Sequence, residues 1–206
     1  MWDRSVFVSC LKGSTFGKGE ESVDFLPVRA IHEHYMLCRS WFEDRETTKW
    51  LSSPLRLGRY PKVIHEKLIT DRRNQVFFIM VDSSPIGLVG LQDIDRIDHK
   101  AEIWYLVGEE PCRGKNYASQ AVGRLNEFSA NRLGLVSLYA HVSVLNLASI
   151  RVLEKNKYQY VGRLRRSFKV NGEYQDLLLY DWVPEFNRNE AKMQVREESD
   201  EAGSSS

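Results

Sequence analysis

A mixed α/β sheet protein is the fold class that the sequence predicts, and three observations carry it. Short apolar, β-branched runs alternate with stretches whose apolar residues recur at three and four. Turn signals separate them, notably Asp82-Ser83-Ser84-Pro85 and an Asn-Gly pair. No internal repeat is present. "VDFLPV" reads as a first strand. Residues 30–51 read as helical, in two short pieces. "PKVIHEKLITDR" opens with Pro61 as a first helical residue and sets Val63, Ile64 and Leu68 on one face. "QVFFIMV" and "PIGLVGLQDI" form a hairpin, and "AEIWYLV" is the next strand. Residues 117–133 form a helix, with Ala118, Ala121, Val122, Leu125 and Phe128 on its apolar side. "VSLYAHV" is a strand, and "LASIRVLEKN" is a helix with Ile150, Val152 and Leu153 inward. Two strands close the chain around Asn171–Gly172, a hairpin turn signal.

The bulk properties narrow the function. The 206 residues carry a formal net charge of +1, which argues against nucleic acid or a membrane surface as the general partner. Three cysteines, Cys10, Cys38 and Cys112, lie far apart, so neither a disulfide framework nor a zinc site is expected. No apolar run reaches a membrane span, and the expectation is a soluble, cytoplasmic chain. Residues 1–22 read as a flexible lead-in, 23–186 as the folded domain and 187–206 as a disordered tail.

The loop "EEPCRGKNYASQAV" joins the strand ending at Val107 to the helix beginning near Tyr117. The amides of Gly114 to Ala118 then lie where a helix start lacks internal acceptors. Such a start attracts phosphate, and Arg113 and Lys115 add positive charge. The same residues also suit a plain glycine turn with solvated basic side chains.

Arg113-Gly114-Lys115-Asn116-Tyr117-Ala118 resembles the R/Q-x-x-G-x-G/A phosphate loop of the GNAT superfamily of N-acetyltransferases. "NLASIRVLEKNKYQYVGRL" and "NGEYQDLLLYDW" resemble segments of the branch that includes the ribosomal-protein alanine acetyltransferases. The resemblance implies a twisted, mostly antiparallel sheet whose fourth and fifth strands splay apart, flanked by helices. It implies acetyl-coenzyme A as acyl donor, with no metal. The backbone of Tyr105, Leu106 and Val107 is then expected to pair with the pantetheine arm. The amides of Arg113, Gly114, Lys115, Asn116, Tyr117 and Ala118 are expected to hold the pyrophosphate. Asn146 matches an asparagine that contacts the arm, and it also suits a helix N-cap.

Two departures stand out. Asn116 replaces the first loop glycine; asparagine tolerates positive φ, but its side chain crowds a phosphate, so weakened cofactor binding is expected. Lys157 replaces a glycine before Tyr158 and is expected to alter only a helix end. A third difference concerns the chemistry. Where many members carry a tyrosine that protonates the leaving thiolate, this chain has Leu153. Ser149 is the candidate donor in its place, or else a first-turn cap. Glu102 is the candidate base acting through water, or else a strand-edge carboxylate.

Other residues read plainly. His32 and His34 point in different directions on a helix, so metal binding is not expected there. His141 is a strand residue beside the cleft. Trp41, Phe42 and Trp50 either wall an acceptor pocket or fill an aromatic core. Arg163, Arg165, Arg166 and Lys169 form a solvated face or receive an acceptor that bears phosphate.

The reading is an acetyl-coenzyme A-dependent N-acetyltransferase acting directly on a primary amine. The acceptor is a protein N-terminus, an amino sugar or another small molecule. The alternative is a non-catalytic or weakly active GNAT-fold binding protein, favoured by Asn116 and Leu153. The sequence allows a homodimer without specifying one.

Overall fold

The computed structural model describes residues 22–51, 55 and 58–185. The expected lead-in, apart from Ser22, and the expected tail lie outside the described residues, as do Cys10 and Phe186. Strand β1 (Asp24–Pro27) precedes helices α1 (His32–Phe42), α2 (Arg45–Thr48) and α3 (Lys62–Thr70). Strands β2 (Gln75–Val81), β3 (Ser84–Asp95) and β4 (Lys100–Val107) follow, then α4 (Tyr117–Leu133). The chain continues through β5 (Ser137–Ser143), α5 (Leu147–Lys155), β6 (Gln159–Val170) and β7 (Glu173–Trp182). This is the order read from the sequence.

The strands form one seven-stranded sheet in the order β1-β2-β3-β4-β5-β7-β6. Every neighbouring pair is antiparallel except β4–β5. Central strands are buried on both faces, which is why β3 reads as a nearly continuous apolar run: Leu88 and Val89 both have no exposed surface. One face packs on α4 and α5 through Ala121, Val122, Leu125 and Leu153. The other face packs on α1 through Cys38 and Phe42 and on α3 through Ile64 and Leu68, with the ring of Tyr60 between them in sequence. Fully burying one such side chain contributes about 1.5–3 kcal/mol.

The turn chemistry is local. Asn171 and Gly172 have φ of 51° and 88°, the paired positive angles of a tight hairpin turn. Asp44 caps α2 by accepting from the amides of Glu46 and Thr47. At the end of β4, Gly108 lies flat against the indole of Trp41; a Cβ there would stand 2.4 Å from the ring. Trp41 Nε1 donates to Glu109 Oε1 at 2.8 Å, so α1 and the end of β4 are latched together.

Helix α3 corrects the sequence reading in two places. Pro61 is the N-cap, with extended backbone, and not the first helical residue. Val63 is 66% exposed, whereas His65 is 1% exposed. Apolarity alone favoured Val63; His65 is drawn inward because two polar partners await it. Its Nε2 lies 3.0 Å from the Arg29 carbonyl and its Nδ1 3.1 Å from the Tyr60 hydroxyl. A carbonyl only accepts, so Nε2 carries the hydrogen and Nδ1 accepts from Tyr60. Burial pushes the pKa of His65 down and holds the ring neutral.

Candidate functional site

Strands β4 and β5 pair over three positions only, from Lys100–Ser137 to Glu102–Tyr139. Beyond them β4 stays with β3, while β5 stays with β7. A wedge-shaped gap therefore opens between two parallel strands at the centre of the sheet. A cavity of about 980 Å³ fills it. Residues Ile103 to Val107 form one wall, and the starts of α4 and α5 form another. Trp50 and Leu51 also line it, as do Leu164, Phe168 and Leu177 from the last hairpin.

At one end of the gap lies the loop before α4. Asn116 has φ 68° and ψ 2°, the left-handed conformation, and Gly114 has φ 76°. The asparagine thus keeps the backbone shape that glycine would supply. The helix ladder begins with Gln120 N donating to Asn116 O at 3.1 Å, so the preceding amides of the turn lie ahead of any helix carbonyl. Asn116, Tyr117 and Ala118 line the cavity, as do Arg113 and Gly114, whereas Lys115 does not line it.

The cations are arranged differently from the sequence expectation. Arg113 turns back from the loop: its Nε donates to Val107 O at 3.2 Å, and its Nη2 to Thr47 Oγ1 at 2.7 Å and Gly108 O at 3.2 Å. It also lies 3.7 Å from Asp44 Oδ2. Its side chain braces the end of β4 against α2, and the Val107 carbonyl is already engaged by it. Lys155, at the end of α5, supplies a cation at the loop by donating to Asn116 Oδ1 at 2.8 Å.

At the start of α5, Asn146 is the N-cap. Its Oδ1 accepts from Ser149 N at 3.2 Å, and its Nδ2 donates to Ser149 Oγ at 3.0 Å. The Ser149 oxygen is thereby satisfied as an acceptor, and its own hydrogen is left to donate. Tyr105 reaches across from β4 to donate to Ser149 O at 3.2 Å; burial pushes its pKa up. Asn146, Ser149 and Tyr105 all line the cavity, as does Leu106. Leu153 is buried.

Where β4 and β5 part, Glu102 bridges three strands. Its Oε2 accepts from Gln92 Nε2 on β3 at 2.8 Å, and its Oε1 lies 2.8 Å from His141 Nδ1 on β5. The hydrogen bond to Glu102 raises the pKa of His141, against the opposing pull of partial burial. Both side chains line the cavity.

The aromatic residues divide. Trp41 and Phe42 are buried core, and Trp50 faces the cavity. His34 Nδ1 accepts from the Arg29 amide at 2.9 Å. In the last hairpin, Arg163 pairs with Asp176, and Arg166 and Lys169 lie over the Tyr174 ring at 5.5 and 5.2 Å. Among the described residues, no group of three or more His, Cys, Asp and Glu side chains is placed to hold a metal. No described helix is long and apolar enough to cross a membrane.

Two features of the site escaped the sequence reading: the contact of Lys155 with Asn116 and the pairing of His141 with Glu102. Each joins residues 39 apart. The parallel register of β4 and β5, which the sequence does not display, accounts for the second. Once Glu102 sits opposite Tyr139, His141 is two residues further along the same face.

Comparisons with known proteins bear on the family and the fold. The family profile "Acetyltransferase (GNAT) domain" matches residues 26–159. The spermidine N(1)-acetyltransferase of Vibrio cholerae is 29% identical over 129 residues, 62% of this chain and 74% of the relative. That of Escherichia coli strain K12 is 27% identical over 158 residues, 77% and 80% of the two chains. A putative ribosomal N-acetyltransferase of Bacillus subtilis is 29% identical over 102 residues, 50% of this chain and 55% of the relative. Among solved structures, the Vibrio cholerae spermidine N-acetyltransferase with CoA and spermine superposes with a TM-score of 0.70 at 22% identity, covering 79% of this chain and 95% of that one. A ribosomal L7/L12 alpha-N-protein acetyltransferase in complex with coenzyme A gives 0.68 at 18% identity, covering 79% and 94%. These two likenesses establish the shared fold.

Proposed function

The chain belongs to the GNAT acetyltransferase family, and from that premise we propose that it moves an acetyl group from acetyl-coenzyme A to a primary amine by direct attack on the thioester. Its enzyme class is N-acetyltransferase. The observation that carries the proposal is the three-residue pairing of β4 with β5, which leaves a strand edge facing a cavity of about 980 Å³. Such an edge takes an extended amide-bearing chain as a further strand.

The residues present fit the donor. The backbone of Tyr105 and Leu106 would pair with the pantetheine arm, with Val107 limited by Arg113. The first-turn amides of α4, flanked by Lys155 and Lys115, would receive the pyrophosphate. Asn146 would cap α5 and meet the arm. When bound, the thioester supplies an activated acyl carbon. The protein's tasks are to take a proton from the amine, to exclude water and to protonate the departing sulfur. In this reading Glu102 would serve the amine, and Ser149 Oγ would donate to the sulfur; both residues line the cavity.

The test measures thiol release from acetyl-coenzyme A across an amine panel. Spermidine heads the panel because relatives carry that name; amino sugars and peptides with free N-termini complete it. Turnover with at least one amine is expected. Coenzyme A binding with no turnover for any amine would instead favour the second reading, a non-catalytic member. Asn116 at the phosphate loop and Leu153 in place of a tyrosine are the observations on its side.

A further inference from the structure

We propose that His141 is the proton acceptor of the transfer and that Glu102 is its positioning partner, so that the base is a dyad bridging β4 and β5 where they part. The inference rests on the acetyl-transfer reading above. The geometry has three elements. Glu102 Oε1 lies 2.8 Å from His141 Nδ1, and Gln92 holds the other carboxylate oxygen at 2.8 Å. An ionised carboxylate only accepts, so Nδ1 carries the ring hydrogen and Nε2 holds the lone pair. The ring lines the cavity on the same strand face as Tyr139, its edge-on neighbour at 5.9 Å.

Glu102 is poorly suited to act alone. Both of its oxygens are committed, and its side chain is 18% exposed against 32% for His141. Both side chains line the cavity, and among the described residues His141 Nε2 has no hydrogen-bond partner, so the imidazole is the group with an uncommitted acceptor atom. Among the described residues, the groups around the dyad are few. Glu102 comes from β4 and Gln92 from β3, while Tyr139 shares β5. Across on β7 its partner is the apolar Leu179. Asp93, Asp95 and Lys100 act on the neighbouring Tyr139 ring.

In the transfer, the amine nitrogen forms a bond to the acyl carbon, and the carbon–sulfur bond breaks. One amine proton passes to His141 Nε2, and the imidazolium forms beside the Glu102 carboxylate. The sulfur leaves with the bonding electrons and takes a proton from Ser149 Oγ, which solvent replenishes. His141 then returns its proton to solvent.

The experiment is a pH–rate profile of kcat/KM for the wild type, His141→Gln and Glu102→Gln, using the best amine of the panel. The wild type shows an acid limb above the ordinary histidine range, because the ring must be neutral to accept. His141→Gln lowers kcat/KM about 10²–10³-fold and abolishes the limb. Glu102→Gln moves the limb to lower pH, since the carboxylate no longer favours the charged ring. Imidazole added to His141→Ala restores part of the lost rate. A His141→Gln enzyme within about twofold of wild type, with its limb intact, overturns the inference and leaves acetyl transfer standing. Absence of turnover in the wild type with every amine overturns both. Should His141→Gln fail to bind coenzyme A, NMR titration of the His141 ring in wild type and Glu102→Gln decides; an unchanged midpoint overturns the pairing.

Discussion

His65 and His141 carry the same side chain into opposite circumstances. His65 lies sealed beneath α3, with both nitrogens satisfied by neutral groups of Arg29 and Tyr60. His141 lies at the open gap, with one nitrogen on a carboxylate. Burial lowers the pKa of the first, and a hydrogen bond to a carboxylate raises that of the second. The difference separates two uses of polar chemistry. Beneath α3, both ring nitrogens of His65 are consumed and the result is architecture. Between β4 and β5, an imidazole nitrogen and a serine hydrogen are left over, which is what the proposed transfer requires.

Substitutions should respect that boundary. His65→Ala leaves the Tyr60 hydroxyl and the Arg29 carbonyl without their partner and opens a void, at a cost of about 3–4 kcal/mol. Chemical denaturation measures it, and the affinity for coenzyme A should stay unchanged. A loss below about 1 kcal/mol would break the comparison. Ser149→Ala should lower kcat about 10²-fold, equivalent to about 2.7 kcal/mol in the barrier, while the denaturation midpoint hardly moves. If stability falls instead, Ser149 is a cap and belongs with the architecture. Asn116→Gly removes the side chain that holds Lys155 and should tighten coenzyme A binding about three- to tenfold, or about 0.7–1.4 kcal/mol. Isothermal titration calorimetry reads this directly; equal affinity would show that the asparagine does not crowd the site.

The smallest effect is on the pH dependence of stability, and its sign differs between the two rings. The folded pKa of His65 lies below its ordinary 6.5, so its contribution is complete above about pH 6.5 and is lost as pH falls below that value. The folded pKa of His141 lies above 6.5, so its contribution is complete below about pH 6.5 and is lost as pH rises through the folded value. Melting temperatures between about pH 5 and 8 should therefore climb more steeply with pH in His141→Gln than in the wild type. Parallel curves would remove the contrast.

The order of elements was legible because apolar period and turn residues act locally. Tyr117 to Leu133 matched its helix to the residue, since Asn116 and Gly134 bracket it with left-handed backbone. Lys157, with φ 65°, likewise keeps the helix-end shape that glycine would supply. What the sequence hid was long-range. Arg113 belonged by spacing to the phosphate loop, but its guanidinium finds Thr47, 66 residues earlier. The partners of His65 include a carbonyl 36 residues away, which no side-chain pattern reveals. Nor did spacing tie Glu102 to His141; their meeting depends on two strands that pair briefly and then diverge.

The latch between Trp41 and the end of β4 has a consequence for motion. With Gly108 pressed flat on the indole and Glu109 hydrogen-bonded to its nitrogen, helix α1 and the tip of that strand must travel as one rigid body. Any widening of the gap is thus left to the opposite bank, formed by β5, α5 and the closing hairpin.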